Sequence, residues 1–265
     1  MNFLIQKINN EIRHDFAFTL IESARFHNWL HHGTRIGIKY LNTIDIVEPS
    51  DIYPPFDFKN YHYRQKYVPI GSVDFVVEYL QRMYGLMPKP INVPEALFDR
   101  ANRKIFNGNH LSLENCAGKY FVKSNDYFKG FTEIIECVDT GNQGTTYSKP
   151  IPIGDYQFSE VISIDSEWRA FIYNGKMIGL QNYCGEFTKW PDVWKIKQMI
   201  YEYQANGKPP IAYTLDVGVN DRGTFVIELH PMMSVGLYGF SDHKVLPYMF
   251  YKCFWEFIQR EGKYE

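Results

Sequence analysis

Residues 211–239 read IAYTLDVGVNDRGTFVIELHPMMSVGLYG. Two runs of β-branched and apolar residues alternate with small or polar ones on either side of Asn220-Asp221-Arg222-Gly223, which predicts two strands joined by a tight turn. Leu215, Val217 and Val219 share one face of the first strand, and Phe225, Ile227 and Leu229 share one face of the second, so these six belong against a core. A register that pairs the apolar sets must also pair the complementary ones, and one such register sets Asp216 opposite Glu228, with His230 two residues on. Directly opposed side chains lie about 5 Å apart at Cβ, and like charges there are destabilising. A divalent cation between the carboxylates would relieve that repulsion, and Mg²⁺ favours one or two carboxylates plus substrate phosphates. The hairpin therefore reads as a metal–phosphate platform. Its plainer alternative is a pair of carboxylates on a solvated sheet face, and the rest of the chain has to decide between them.

The bulk numbers narrow the choice. A chain of 265 residues that is 45% hydrophobic can bury a substantial core and hold two modest domains. A net charge of −2 argues against a broad nucleic-acid footprint and favours a small-molecule or protein partner. Cys116, Cys137, Cys184 and Cys253 are widely spaced, without a C-x-x-C pair, so neither a zinc knuckle nor a disulfide framework is expected and a reducing cytoplasm is the default. No apolar run approaches the length needed to span a bilayer, and the N-terminus lacks the basic and apolar regions of a leader. His27 and His31 would share a helix face, but the Glu of an H-E-x-x-H metal motif is missing.

Upstream of the hairpin, residues 1–87 mix short apolar runs and turns and read as a small α/β unit. Strands are expected at Ile36–Ile38, Thr43–Val47 and Tyr67–Ile70, a loop at Pro49–Pro55, and a helix capped by Ser72, striped by Val73, Val76, Val77 and Leu80, and closed by Gly85. Pro88, Pro90 and Pro94 mark a boundary, and Pro94 suits the first turn of a helix running toward Ile105 with Leu97, Phe98 and Ala101 buried. In KYFVKSNDYFKGFT, residues 119–132, Lys123 projects on the same strand face as Phe121, where an unpaired ammonium would be costly and an anionic ligand would offset it, the plainer alternative being that Lys123 and Lys129 both snorkel to solvent. Lys129-Gly130 follows in a loop that lets backbone approach a phosphate. Gln157–Ile164 reads as a strand leading to Glu167-Trp168-Arg169. Asn174-Gly175 signals a type I′ hairpin, and Asp192 caps a helix carrying Val193, Ile196, Met199, Ile200 and Tyr203. A last helix, from about Lys244 to Arg260, is assigned to packing.

Five of these features, in this order, resemble the ATP-grasp superfamily: Lys123 on a strand, the Lys129-Gly130-Phe131-Thr132 loop, Ser159–Ile162 followed by Glu167-Trp168-Arg169, Asp216-Val217-Gly218-Val219, and Glu228-Leu229-His230. The resemblance is closest to a less characterised branch and covers about residues 91–265. It implies an α+β ATP-grasp fold, with a small N-terminal α/β domain at 1–90 and an ATP-grasp domain at 91–265 whose lid spans about 112–160. By position it implies that Lys123 and Lys129 hold nucleotide phosphates, that Glu160 and the backbone at Val161 and Ile162 read adenine, and that Glu167 accepts the ribose hydroxyls. Arg169 would meet phosphate or an acylphosphate oxygen, with Lys129 as the second residue at the reacting phosphate. Asp216, Glu228 and His230 would ligate Mg²⁺. Two positions depart from the family: His230 stands where Asn is usual, which shifts weight toward Mn²⁺ or toward a role off the metal, and Thr214 stands where Arg is frequent. The activity implied is an ADP-forming carboxylate–amine ligase, with a phosphotransferase or a nucleotide-binding module without turnover as alternatives. The segment Met232–Asp242 would line the acceptor pocket, and a homodimer is an assembly the superfamily often adopts.

Overall fold

A computed structural model describes residues 1–31, 35–43, 67–114, 116–139 and 145–262. In chain order its elements are β1 (Asn2–Ile8), α1 (Asp15–Leu30), β2 (Gly37–Thr43), β3 (Val68–Ile70), α2 (Val73–Tyr84), a 3₁₀ stretch at Glu95–Arg100, β4 (Ile105–Asn109), β5 (Gly118–Ser124), β6 (Thr132–Asp139), β7 (Thr145–Tyr147), β8 (Asp155–Glu160), β9 (Ser166–Tyr173), β10 (Lys176–Gly185), α3 (Val193–Asn206), β11 (Ala212–Asn220), β12 (Gly223–Pro231) and α4 (Leu246–Glu261). No described helix is long and apolar enough to cross a membrane. The contacts divide the chain into two units.

One unit comprises Met1–Met87, Pro210–Tyr213 and Pro231–Glu265. Its sheet has the order β2-β1-β3, with β1 parallel to both neighbours. A parallel strand covered on both faces reads as a continuous apolar run, and Phe3, Leu4 and Ile5 are fully buried. The C-terminal helix belongs to this unit because its apolar stripe finds partners there: Phe250 lies 6.1 Å from Phe16 of α1, and Phe254 lies 6.3 Å from Tyr79 of α2. In α2, Ser72 accepts the Phe75 N–H at 3.2 Å and Gly85 turns at φ 67°. Its buried stripe is Phe75, Val76, Tyr79 and Leu80, which keeps Val76 and Leu80 of the expected stripe and replaces Val73 and Val77. The two aromatics carry more apolar area and rotate the face toward themselves. The strand expected at Ile36–Ile38 is the start of β2; the remainder of Thr43–Val47 and the loop at Pro49–Pro55 lie outside the described residues.

The other unit, Pro88–Pro209 with Thr214–His230, carries a five-stranded sheet of order β4-β8-β5-β6-β7 and a four-stranded sheet of order β10-β9-β11-β12. The first is antiparallel throughout and closes over Leu113, Tyr120, Val122, Ile135, Cys137, Tyr156 and Phe158. The helix expected from Pro94 to Ile105 is only the six-residue 3₁₀ stretch. Asn102 turns the chain at φ 54° and Arg103 anchors it, donating to the carbonyls of Ala101 (3.0 Å) and Val226 (2.8 Å) and to Ser159 Oγ. These tertiary bonds override helical propensity, although Leu97 and Ala101 are fully buried as the spacing requires.

The strand expected over Gln157–Ile164 stops at Glu160. Beyond it, the Val161 N–H bonds the Lys119 carbonyl at 3.0 Å and the Asp165 N–H bonds the Val219 carbonyl at 2.8 Å, so the segment becomes a hinge tied at both ends. Asn174 and Gly175 both have positive φ, as a type I′ turn requires. Asp192 Oδ1 caps α3 by accepting from Trp194 N–H at 2.8 Å and Lys195 N–H at 3.3 Å. Replacing it by Ala is expected to cost about 1 kcal/mol in urea unfolding; an unchanged midpoint would mean that the cap is not used in solution.

Candidate active site

The site is built on the β11–β12 hairpin. Gly223 adopts φ 97° and Asn220 Oδ1 accepts the Arg222 N–H at 2.9 Å, which closes the turn. At the open end the Met232 N–H reaches the Ala212 carbonyl at 3.1 Å, while the Leu229 N–H points away from β11 to the Asn92 carbonyl at 2.9 Å. Both bonds are consistent with a register that puts Asp216 across from Glu228. Gly218 is required between them: a Cβ there would come within 2.5 Å of the Phe225 ring and 3.1 Å of Ile164, so only glycine lets Phe225 seat. Carboxylate oxygens of Asp216 and Glu228 and a ring nitrogen of His230 all lie within 4.8 Å of one another.

The electrostatics of this cluster correct one step of the sequence argument. Opposed carboxylates alone call for a cation from outside the chain, but the protein supplies its own. Arg169 on β9 grips Asp216 with two bonds, Nε to Oδ1 and Nη2 to Oδ2, each 2.7 Å, and both residues are buried. Such a fork-to-fork pair is the strongest form of neutralisation available to a side chain. Lys123 Nζ bonds Glu228 Oε2, so it is not the unpaired ammonium that its position beside Phe121 suggests. His230 Nε2 sits 2.9 Å from Glu228 Oε1 and 3.8 Å from Asp216 Oδ2. Burial alone would push the Glu228 carboxyl up, but the hydrogen bond and charge of His230 together with Lys123 outweigh it and hold that carboxyl well below the usual carboxylate range. The Glu228 carboxyl is therefore ionised at neutral pH.

This donor set fits a divalent cation: two carboxylates and an imidazole nitrogen converge, and each carboxylate oxygen keeps a second lone pair beside the bond it already accepts. Thr214, where an arginine is frequent in the superfamily, is fully buried, and its Oγ1 has no hydrogen-bond partner among the described residues. The guanidinium that reaches Asp216 comes from β9 instead.

The other positions singled out by sequence lie in the same unit. Glu167, one residue into β9, faces the Arg169 side, and its Oε2 accepts from the Tyr183 hydroxyl at 2.7 Å. The Glu160 carboxylate accepts the Lys104 N–H at 2.9 Å. The Val161 N–H is taken by the Lys119 carbonyl, so it is not a free donor for a ligand. Lys129 is exposed in the turn after β5 with φ 52°, and Gly130 behind it packs so tightly on Ser124 that a Cβ would lie 2.8 Å from Ser124 Cβ. The segment after β12 belongs to the first unit. There Asp15 Oδ2 accepts the N–H groups of Leu237 (2.7 Å) and Tyr238 (3.2 Å), and Ser234 Oγ donates to the Gly71 carbonyl at 2.7 Å. Sequence reasoning does not single out Tyr183, whose ring lies 5.6 Å from the Arg169 guanidinium. A tyrosine in a regular-looking strand carries no signal of such a role.

A family profile described as an ATP-grasp domain, the second family of its clade, matches residues 101–248, more than half of the chain. A sequence search of curated proteins found no match. Among solved structures, N5-carboxyaminoimidazole synthetase from Staphylococcus aureus superposes with a TM-score of 0.51 at 12% identity, covering 94% of this chain and 79% of that one. The same synthetase complexed with ADP gives 0.50 at 10% identity, covering 95% and 78%. N5-carboxyaminoimidazole ribonucleotide synthetase from Thermotoga maritima gives 0.50 at 11% identity, covering 95% and 75%. At these identities the likeness is one of fold.

Proposed function

Because the chain belongs to the ATP-grasp superfamily, we propose that it is an ADP-forming ligase joining a carboxylate to an amine, with small molecules or peptides as substrates. The observation that carries this reading is the convergence of Lys123, Arg169, Asp216, Glu228 and His230 into one charged cluster that contains no Ser, Thr or Cys. Phosphoryl transfer asks for positioning and charge neutralisation rather than covalent help from the protein. In the reaction proposed, a substrate carboxylate oxygen attacks the γ-phosphorus, ADP leaves, and an amine then displaces phosphate from the acylphosphate.

Lys123 and Arg169 serve as the cationic walls. Each is now paired with a carboxylate, and each can turn donors toward phosphate oxygens once those carboxylates gain another partner. Asp216, Glu228 and His230 would hold the divalent cation, which when bound supplies neutralisation of phosphate charge. Glu160, Val161 and Ile162 would contact adenine, Glu167 the ribose and Lys129 the terminal phosphates. A nucleotide-binding module without turnover is the second reading, and the observation on its side is that Asp216 is already neutralised by Arg169.

The test is ADP release from MgATP and from MnATP, with pools of amino acids and short peptides added. Stimulation by one pool is the expected result, and fractionating it names the substrates. ATP binding without turnover in any pool would leave the module; failure to bind ATP at all would remove both readings. His230→Asn is expected to narrow the ratio of Mn²⁺ to Mg²⁺ affinity several-fold, because an amide oxygen suits the harder ion better than imidazole nitrogen does. Competition of Mg²⁺ against Mn²⁺ followed by electron paramagnetic resonance reads that ratio directly, and an unchanged ratio would put His230 off the metal.

A further inference from the structure

β10 pairs with β9 but slips register twice, between Met177 and Gly179 and again between Asn182 and Cys184. At the second slip Asn182 lies opposite Trp168 and Cys184 lies opposite Glu167, so Tyr183 is the extra residue of a bulge. A bulge releases its residue from strict alternation and re-aims the side chain, and bulges concentrate beside active sites for that reason. Here the Tyr183 hydroxyl meets Glu167 Oε2 at 2.7 Å while its ring lies 5.6 Å from the Arg169 guanidinium. The bulge is itself fastened, since the Asn182 side-chain amide donates to the main-chain carbonyls of Glu167 and Cys184, each at 3.1 Å.

We propose that Tyr183 is a positioning residue for nucleoside recognition, holding the Glu167 carboxylate in the orientation that accepts ribose hydroxyls and so setting a preference for ribonucleotide over deoxyribonucleotide. This rests on the ATP reading above. A free glutamate side chain would have to be ordered when ligand binds, at a cost in conformational freedom that a prior hydrogen bond removes. The bond leaves recognition capacity intact, because each carboxylate oxygen has two lone pairs and Tyr183 uses one. Burial, with the negative charges of Asp216 and Glu167 adding to it, pushes the phenol far above its ordinary range, so the hydroxyl keeps its proton and acts as donor.

The test compares calorimetric affinities for MgATP and its 2′-deoxy analogue in wild type, Tyr183→Phe, Glu167→Gln and the double variant. Tyr183→Phe keeps the ring beside Arg169 and removes only the hydroxyl. It is expected to lower the ATP to 2′-deoxy-ATP preference about 3–10-fold, the effect of one ordinary net hydrogen bond acting through Glu167, with 2′-deoxy-ATP affinity nearly unchanged. Adding it to Glu167→Gln is expected to change the ratio no further. Asn182→Ala, which loosens the bulge without touching the phenol, is expected to lower the same ratio and serves if Tyr183→Phe does not fold. Equal losses for both nucleotides, or an unchanged ratio, would overturn the proposal and reduce Tyr183 to packing. A wild type that binds both nucleotides equally would overturn it while leaving the ATP reading in place; one that binds neither would remove the ATP reading and this inference with it.

Discussion

Replacing Asp216 by Ala is expected to lower the unfolding free energy by about 3–5 kcal/mol before any nucleotide or metal is added. Arg169 is only 6% exposed and spends two hydrogen bonds on Asp216, so removing the carboxylate takes the compensating charge from a buried guanidinium. The pair as a whole contributes far less than that loss suggests, because desolvating both charges offsets most of their attraction. A double replacement, Arg169→Leu with Asp216→Leu, should therefore recover most of the stability that Asp216→Ala loses. Urea unfolding in a chelator measures both. If Asp216→Ala stays within about 1 kcal/mol of wild type, the buried pair does not persist in solution. An activity lost in Asp216→Ala thus says little about metal binding, and Asp216→Asn, which retains the shape and one acceptor oxygen, is the cleaner probe.

Glu228→Gln separates chemistry from stability. Glu228 and Lys123 keep 28% and 23% of their side-chain surfaces exposed, so weakening their bond lets both ends find water, and the stability loss should be smaller than that of Asp216→Ala. The missing negative charge, in contrast, is expected to weaken Mn²⁺ binding and to lower metal-dependent ADP formation by about 10²–10³-fold, the size found when one preorganised electrostatic partner is removed. Mn²⁺ titration followed by electron paramagnetic resonance reads the first effect, and steady-state ADP release reads the second. Retention of a tenth or more of the activity would take Glu228 out of the metal site.

The parts of this protein that a sequence can dictate are local. Alternation over Leu215–Val219 and Phe225–Leu229, turn chemistry at Gly223 and at Asn174-Gly175, and caps at Ser72 and Asp192 each depend on a few adjacent residues, so these elements were legible. The order of the short motifs likewise pointed to the superfamily. The 3₁₀ stretch at Glu95–Arg100 was not legible, because Arg103 anchors it to carbonyls more than a hundred residues away.

The charge assignment was decided by tertiary structure alone. Two opposed carboxylates state a problem that metal, lysine or arginine can each solve. The choice fell to Arg169 and Lys123 because strand order sets β9 beside β11 and tertiary packing brings Lys123 of the five-stranded sheet to Glu228 of the four-stranded one. Tyr183 shows the same limit at finer scale: a single slipped residue turns a side chain toward a new neighbour, and only hydrogen bonding between strands, not the period of the sequence, records where that slip occurs.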